Sequence, residues 1–155
     1  MSVTQYCTFH VDDLLFGVEV ARVQEVMLPQ AMTPVPLASS AVRGLINLRG
    51  TIVTAIDLRE QLKLRTCTRD EHMNVVVRTG DDSAVTFMVD EIGDVVDVPS
   101  DAEELPPSTL PHAVGALVSK VCKLKNRLLL VLETEKASDV FSAAGAARGD
   151  TGGVA

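Results

Sequence analysis

From Thr8 to Val20 two short apolar runs are split by Asp12-Asp13, and the pattern predicts a strand, a tight turn and a second strand through Phe16, Val18 and Val20. Val20, Val23, Val26 and Met27 then fall at helix-like spacing, but Pro29, Pro34 and Pro36 forbid a long helix. A single helical turn followed by an extended connection is expected there. Val42 to Leu48, the pair Arg49-Gly50 and Ile52 to Leu58 read as a second hairpin, with Ile46 and Leu48 opposed across the turn by Ile52 and Ile56. Asp57-Leu58-Arg59-Glu60 resembles a capping box that opens a short helix to about Leu64, Asp57 accepting from the amide of Glu60. Arg65 to His72 is polar and reads as a loop.

Asn74 to Arg78, a turn at Gly80 to Ser83 and Val85 to Val89 form a third predicted hairpin, and Ile92, Val95, Val96 and Val98 follow before Pro99. Pro99 to Pro111, acidic and rich in proline, reads as a long extended connection. Gly115 to Val121 and Leu128 to Leu132 make the fourth hairpin, with a basic turn at Lys123 to Arg127. A terminal helix from about Thr134 to Ala144 and a disordered Gly/Ala tail from Gly145 to Ala155 complete the expectation.

The order of elements repeats. Phe16-Gly17-Val18-Glu19 matches Phe87-Met88-Val89-Asp90, Pro29 matches Pro99, and Gly44-Leu45-Ile46 matches Gly115-Ala116-Leu117. Ile52 to Asp57 lines up with Leu128 to Glu133. The repeat implies an all-β fold with short helices, built as two similar units of about five strands that close two small barrels and pack together.

Composition supports this. Of 155 residues 46% are hydrophobic but only 3% aromatic, and 23 are valine, a residue suited to pleated, half-buried surfaces. The length fits one domain or two small subdomains around a common core. The net charge of −7 and pI near 4.9 repel a phosphate backbone, so nucleic acid is disfavoured as a partner. Scattered Lys and Arg argue against direct binding to an anionic membrane, and no run approaches 18 apolar residues. Cys7, Cys67 and Cys122 are odd in number and widely spaced, which points away from a disulfide framework or a zinc site and towards the reducing cytosol.

The residues offer little to catalysis. Phosphate-binding glycine loops, a nucleophile elbow and a His-Glu-x-x-His helix are all missing from the sequence. His10, His72 and His112 stand apart, and the carboxylate pairs Asp12-Asp13 and Asp81-Asp82 sit where tight turns put them. The three cysteines lack a neighbouring His or cation cluster to favour a thiolate. Neither an enzyme nor a cofactor is expected. The run from Val42 to Val53 invites two readings: a plain hairpin turning at Arg49-Gly50, or a rigid tip on which Arg49 anchors a protein partner.

That run, with Val23-Gln24-Glu25-Val26 before it and Ile56-Asp57-Leu58-Arg59 after it, resembles the chemotaxis coupling proteins of the CheW family and the similar domains that end CheA-type histidine kinases. Phe16-Gly17-Val18, Met88-Val89-Asp90, Leu105-Pro106-Pro107, Gly115 and Arg127-Leu128-Leu129-Leu130 with Glu133 extend the likeness over residues 5–140. Thr54-Ala55 and Thr86 depart from the usual Pro-aliphatic and Gly. The resemblance implies two five-stranded SH3-like barrels around a shared core in a single domain over 5–140, and a non-enzymatic cytoplasmic adaptor, recruited to membrane-associated receptor arrays. It would bridge the CheW-like regulatory domain of a CheA-type kinase to the cytoplasmic hairpin of chemoreceptors. Arg49 and Glu25 then pair near the binding surface, with Asn47 and Gly50 in the same motif, while Val23, Gly44, Ile92 and Val95 belong to a groove for receptor helices. Without a receiver or kinase domain, a multidomain relative is disfavoured. An adaptor of another receptor–kinase pathway, for surface motility or biofilm, and a small-ligand-binding barrel are the alternatives.

Overall fold

Val75-Val76-Val77 and Leu129-Leu130-Val131-Leu132 are apolar at every position, and such strands need cover on both faces. A computed structural model, which describes residues 2–64, 72–80 and 83–139, shows where the cover comes from. The strands are β1 (Val3–Val11), β2 (Leu14–Glu19), β3 (Val23–Met27), β4 (Val42–Leu48), β5 (Thr51–Asp57), β6 (Met73–Arg78), β7 (Ala84–Val89), β8 (Glu91–Pro99), β9 (Glu103–Glu104), β10 (Val118–Lys123) and β11 (Leu128–Leu132). Three short helices join them: α1 (Leu58–Gln61), α2 (His112–Ala116) and α3 (Thr134–Ala137).

Two mixed sheets result, ordered β8-β1-β2-β11-β10-β9 and β3-β6-β7-β5-β4. In each, one parallel pair lies among antiparallel neighbours: β2 with β11 in the first and β5 with β7 in the second. The two orders superimpose strand for strand, β8 on β3, β1 on β6, β2 on β7, β11 on β5 and β10 on β4, so the repeat in the sequence is a repeat in topology. The chain crosses from the first sheet to the second after β2 and returns after β7. Each half of the sequence therefore contributes to both sheets, and the subdomains are intertwined.

Each sheet is closed by its own continuing chain. β8 and β9 are the two ends of the first sheet, yet only a 3-10 turn at Ser100–Ala102 separates them, and β9 pairs with β10. In the second, Thr33 follows β3 and bridges Leu45 on β4, with N–H···O distances of 2.9 and 2.8 Å. The first subdomain thus has six strands, one more than expected, because β9 serves as its closing strand.

The shared core lies between the sheets. Phe9, Phe16, Val18 and Leu130 of the first meet Ile56, Val75, Val77 and Phe87 of the second, with Leu58 on α1 and Leu62 at its C-cap, Val114 on α2 and Ala137 on α3 filling its margins. Phe9 and Phe16 are paired across β1 and β2, their ring centroids 6.1 Å apart. Alternate residues of the same strands turn inwards: Tyr6, Leu15, Leu129 and Val131 fill the first subdomain, and Ile46, Val53, Ala55 and Met88 the second. Each buried Leu or Phe contributes about 1.5–3 kcal/mol relative to exposure.

Several expectations need correction. The helical turn is present at Val20–Arg22, so Val20 opens that turn and does not end a strand, but Val23–Met27 is strand β3, paired with β6. The helix-like spacing there is a 3-10 turn run into a strand. A two-residue turn sets Leu48 opposite Thr51, so Ile46 faces Val53, Asn47 faces Ile52 and Val42 faces Ile56. Asp57 does cap α1, but it accepts from the amide of Arg59 at 3.0 Å, and α1 ends at Gln61, before Lys63 turns the chain at φ 58°. The segment from Pro99 to Pro111 is not wholly extended, since it holds the 3-10 turn and β9. Gly115 lies in α2, not in a strand, so it is no conformational counterpart of Gly44. α3 ends at Ala137 with Ser138 as its C-cap, short of the expected Ala144. Residues 65–71, Asp81-Asp82 and everything from residue 140 on, the tail from Gly145 included, lie outside the described residues.

Candidate functional site

Arg49 and Gly50 both have positive φ, 51° and 88°, the requirement of a type I′ turn that matches the twist of a hairpin. Asn47 closes the turn, its Oδ1 accepting from the amide of Gly50 at 2.8 Å. A Cβ at position 50 would meet nothing within 4 Å, so glycine is needed there for its backbone alone. Arg49 has no such freedom, and holding it in this region costs free energy.

The Arg49 side chain is 72% exposed, and its Nη2 donates to Glu25 Oε2 at 2.6 Å. Glu25 sits on β3, at one end of the second sheet's strand order, and Arg49 caps the hairpin at the other, so the ion pair spans the mouth of that subdomain. Glu25 is only 22% exposed, and its Oε1 is buried without a hydrogen-bond partner among the described residues. With its arginine end in water, the pair contributes about 0–1 kcal/mol to folding. Its geometric effect is to aim one guanidinium outward from a rigid tip.

The other groove positions fall elsewhere. Gly44 is buried in the barrel wall, where a Cβ would come within 2.7 Å of the Thr33 carbonyl oxygen and 3.0 Å of Met32 Cβ. Its glycine admits the closing segment 32–33 onto β4. Val23 on β3 and Ile92 on β8 are half-buried against the shared core from equivalent strands of the two sheets, which places both along the seam between the subdomains. Val95, 56% exposed, faces outward from β8 opposite Cys7.

Ile52, 58% exposed beside the turn, escaped the sequence reading. The pairing of Asn47 with Ile52 puts both on the outer face, and a correct register would have found it. Gln24, Arg49, Ile52 and Arg78 border a surface cleft of about 620 Å³, and Val26 and Leu28 are exposed on β3 and just beyond its end.

Titratable groups elsewhere serve the fold. Burial pushes the Cys7 and Cys122 thiols up from their ordinary value, which keeps them protonated at neutral pH. Asp90 is engaged by Arg59 and by the amide of Asp12. Glu103 Oε2 receives the Tyr6 hydroxyl at 2.8 Å and the Lys120 ammonium at 2.7 Å. Thr86, which departs from the usual glycine, is fully buried, with its hydroxyl 3.4 Å from Asn74 Oδ1, while Asn74 Nδ2 donates to the Leu28 carbonyl at 3.2 Å. Among the described residues no helix is long and apolar enough to cross a membrane.

Comparison with known proteins gives one consistent result. The profile of the CheW-like domain matches residues 5–140. The chemotaxis protein CheW of Treponema pallidum is 28% identical over 136 residues, covering 85% of this chain and 80% of the relative. That of Bacillus subtilis is 28% identical over 131 residues, covering 84% of each. The crystal structure of the scaffolding protein TtCheW from Thermoanaerobacter tengcongensis superimposes with a TM-score of 0.76 at 21% identity, over 84% of this chain and 89% of that one.

Proposed function

This chain belongs to the CheW-like domain family, and from that premise we propose that it is a non-enzymatic chemotaxis adaptor, cytoplasmic and recruited to receptor arrays. It couples the cytoplasmic hairpin of chemoreceptors to the CheW-like regulatory domain of a CheA-type histidine kinase. Arg49 carries the reading. A type I′ turn prefers Asn-Gly, and here a guanidinium occupies the first position at positive φ, mostly in water, fixed by one short bond to Glu25. Local preferences broken at an exposed, preorganised side chain are characteristic of sites kept for binding.

Around that anchor, Glu25, Asn47 and Gly50 hold the guanidinium in place, and the exposed apolar surface of Ile52, Val26 and Leu28 supplies area for an amphipathic helix pair. Val23 and Ile92 line the seam between the subdomains, Gly44 supports its wall, and Val95 extends it along β8. Isothermal titration of a chemoreceptor cytoplasmic hairpin into the protein tests the assignment. Arg49→Glu should weaken binding at least tenfold, because it turns the Glu25 pair into a repulsion and removes the anchor. Unchanged affinity in a folded Arg49→Glu protein would refute the role of Arg49.

A further inference from the structure

The strand-for-strand repeat also equates α1, which follows β5, with α3, which follows β11. Each helix reaches a hairpin turn of the sheet to which its preceding strand does not belong. Arg59 of α1 meets Asp12 in the β1–β2 turn and Asp90, where the chain crosses from β7 to β8. Glu135 of α3 meets Gly80 in the β6–β7 turn and Arg22, where the chain crosses from β2 to β3. The two contacts occupy equivalent places with the charges reversed.

They differ in strength. Arg59 grips Asp90 with two parallel bonds, Nε to Oδ1 at 3.0 Å and Nη2 to Oδ2 at 2.5 Å, and reaches Asp12 Oδ1 at 3.1 Å. The amide of Asp12 also donates to Asp90 Oδ2 at 2.7 Å. Arg59 and Asp90 are only 12% and 11% exposed, so water and salt screen this fork far less than an exposed pair. On the other side, among the described residues, Glu135 accepts a bond from the Gly80 amide at 2.7 Å, and its pair with Arg22 is 3.6 Å long, with the side chains 50% and 45% exposed. Such a pair contributes little. A cleft of about 700 Å³, bordered by Thr79, Gly80, Ser83 and Glu135, opens on that side.

We infer that Arg59 is a positioning residue: its fork to Asp90 fixes the angle between the two sheets, and the Glu135 side is the compliant one about which that angle varies. Asp90 immediately precedes β8, so the fork also fixes Ile92 relative to Val23 across the seam. Only this last consequence rests on the adaptor reading.

Residual dipolar couplings of the full-length, nitrogen-15-labelled protein test the clamp without any partner. Backbone amides of the two sheets should fit one alignment tensor in the wild type and in Glu135→Gln. In Arg59→Met they should need two, with unequal degrees of order. Arg59→Lys keeps the charge but loses the fork, and Asp12→Asn removes only the charge of the outer contact; both guard against a variant that fails to fold, and Arg59→Lys should separate the tensors further than Asp12→Asn. A single tensor in every folded Arg59 variant, or an equal separation in Glu135→Gln, would overturn the clamp. Titration with the receptor hairpin then reads the positioning role, where Arg59→Lys should weaken binding by about 2- to 30-fold, the range for residues acting through others. Separated tensors with unchanged affinity would overturn that role, whereas a wild type that binds no hairpin would count against the adaptor reading and leave the clamp to the couplings.

Discussion

At position 49 the turn and the proposed binding role ask for different residues. Asparagine would satisfy the positive φ at lower cost than arginine, and the exposed bond to Glu25 returns about 0–1 kcal/mol. Arg49→Asn should therefore leave the melting temperature equal or slightly raised while weakening receptor binding by an order of magnitude. Thermal unfolding with parallel titration checks both, and a sharp fall in melting temperature with intact binding would make Arg49 a folding residue. The two glycines of the site separate in the same way. Gly50→Ala meets no atom and should cost about 1–2 kcal/mol for its backbone alone. Gly44→Ala must displace the backbone of Thr33 and with it the closing bridge to Leu45, for about 2–4 kcal/mol. Chemical denaturation should rank Gly44→Ala as the more damaging.

Among the elements, β9 shows how little sequence is needed to close a sheet. Its two residues carry Glu103, which ties β1 through Tyr6 and β10 through Lys120. The Lys120 hydrogen bond and charge, with the Tyr6 hydroxyl, hold the Glu103 carboxyl below its ordinary value of 4.5 against the opposing effect of burial. A carboxyl depressed on folding adds stability above its unfolded pKa and loses it as pH falls through the folded one. Wild type should therefore exceed Glu103→Gln most near neutral pH, and the gap in urea midpoints should shrink once the pH drops below about 4.5. A gap that does not change with pH would mean that the carboxylate charge is not what fastens β9.

The same element marks a limit of sequence reading. All four hairpins were legible, because apolar runs flank turn residues at Asp12-Asp13, Arg49-Gly50, Gly80 to Ser83 and Lys123 to Arg127. β9 was not, since two acidic residues have no period, and β3 was misread because a 3-10 turn joined to a strand mimics helical spacing. The turn at Arg49-Gly50 could be read as a candidate site from its residue types. The partnership of Arg49 with Glu25 followed only from the family resemblance and is present in the structure, while the burial of Gly44 and the exposure of Ile52 depend on closure and register, which single runs do not encode.

Over the whole molecule, two crossovers link the sheets, so a seam forms with one core beneath it and a strand from each sheet along it. A receptor helix pair set in that seam would contact both subdomains at once, while outer faces of the barrels stay available to a kinase domain. An adaptor differs from a simple binder in holding two partners together. The most direct measurement is size-exclusion chromatography of a CheA-type regulatory domain and a chemoreceptor hairpin, mixed with and without this protein. The account predicts one three-component peak that needs this protein and is lost or reduced with Arg49→Glu. A folded, β-rich protein that joins only one partner, or neither, would contradict it.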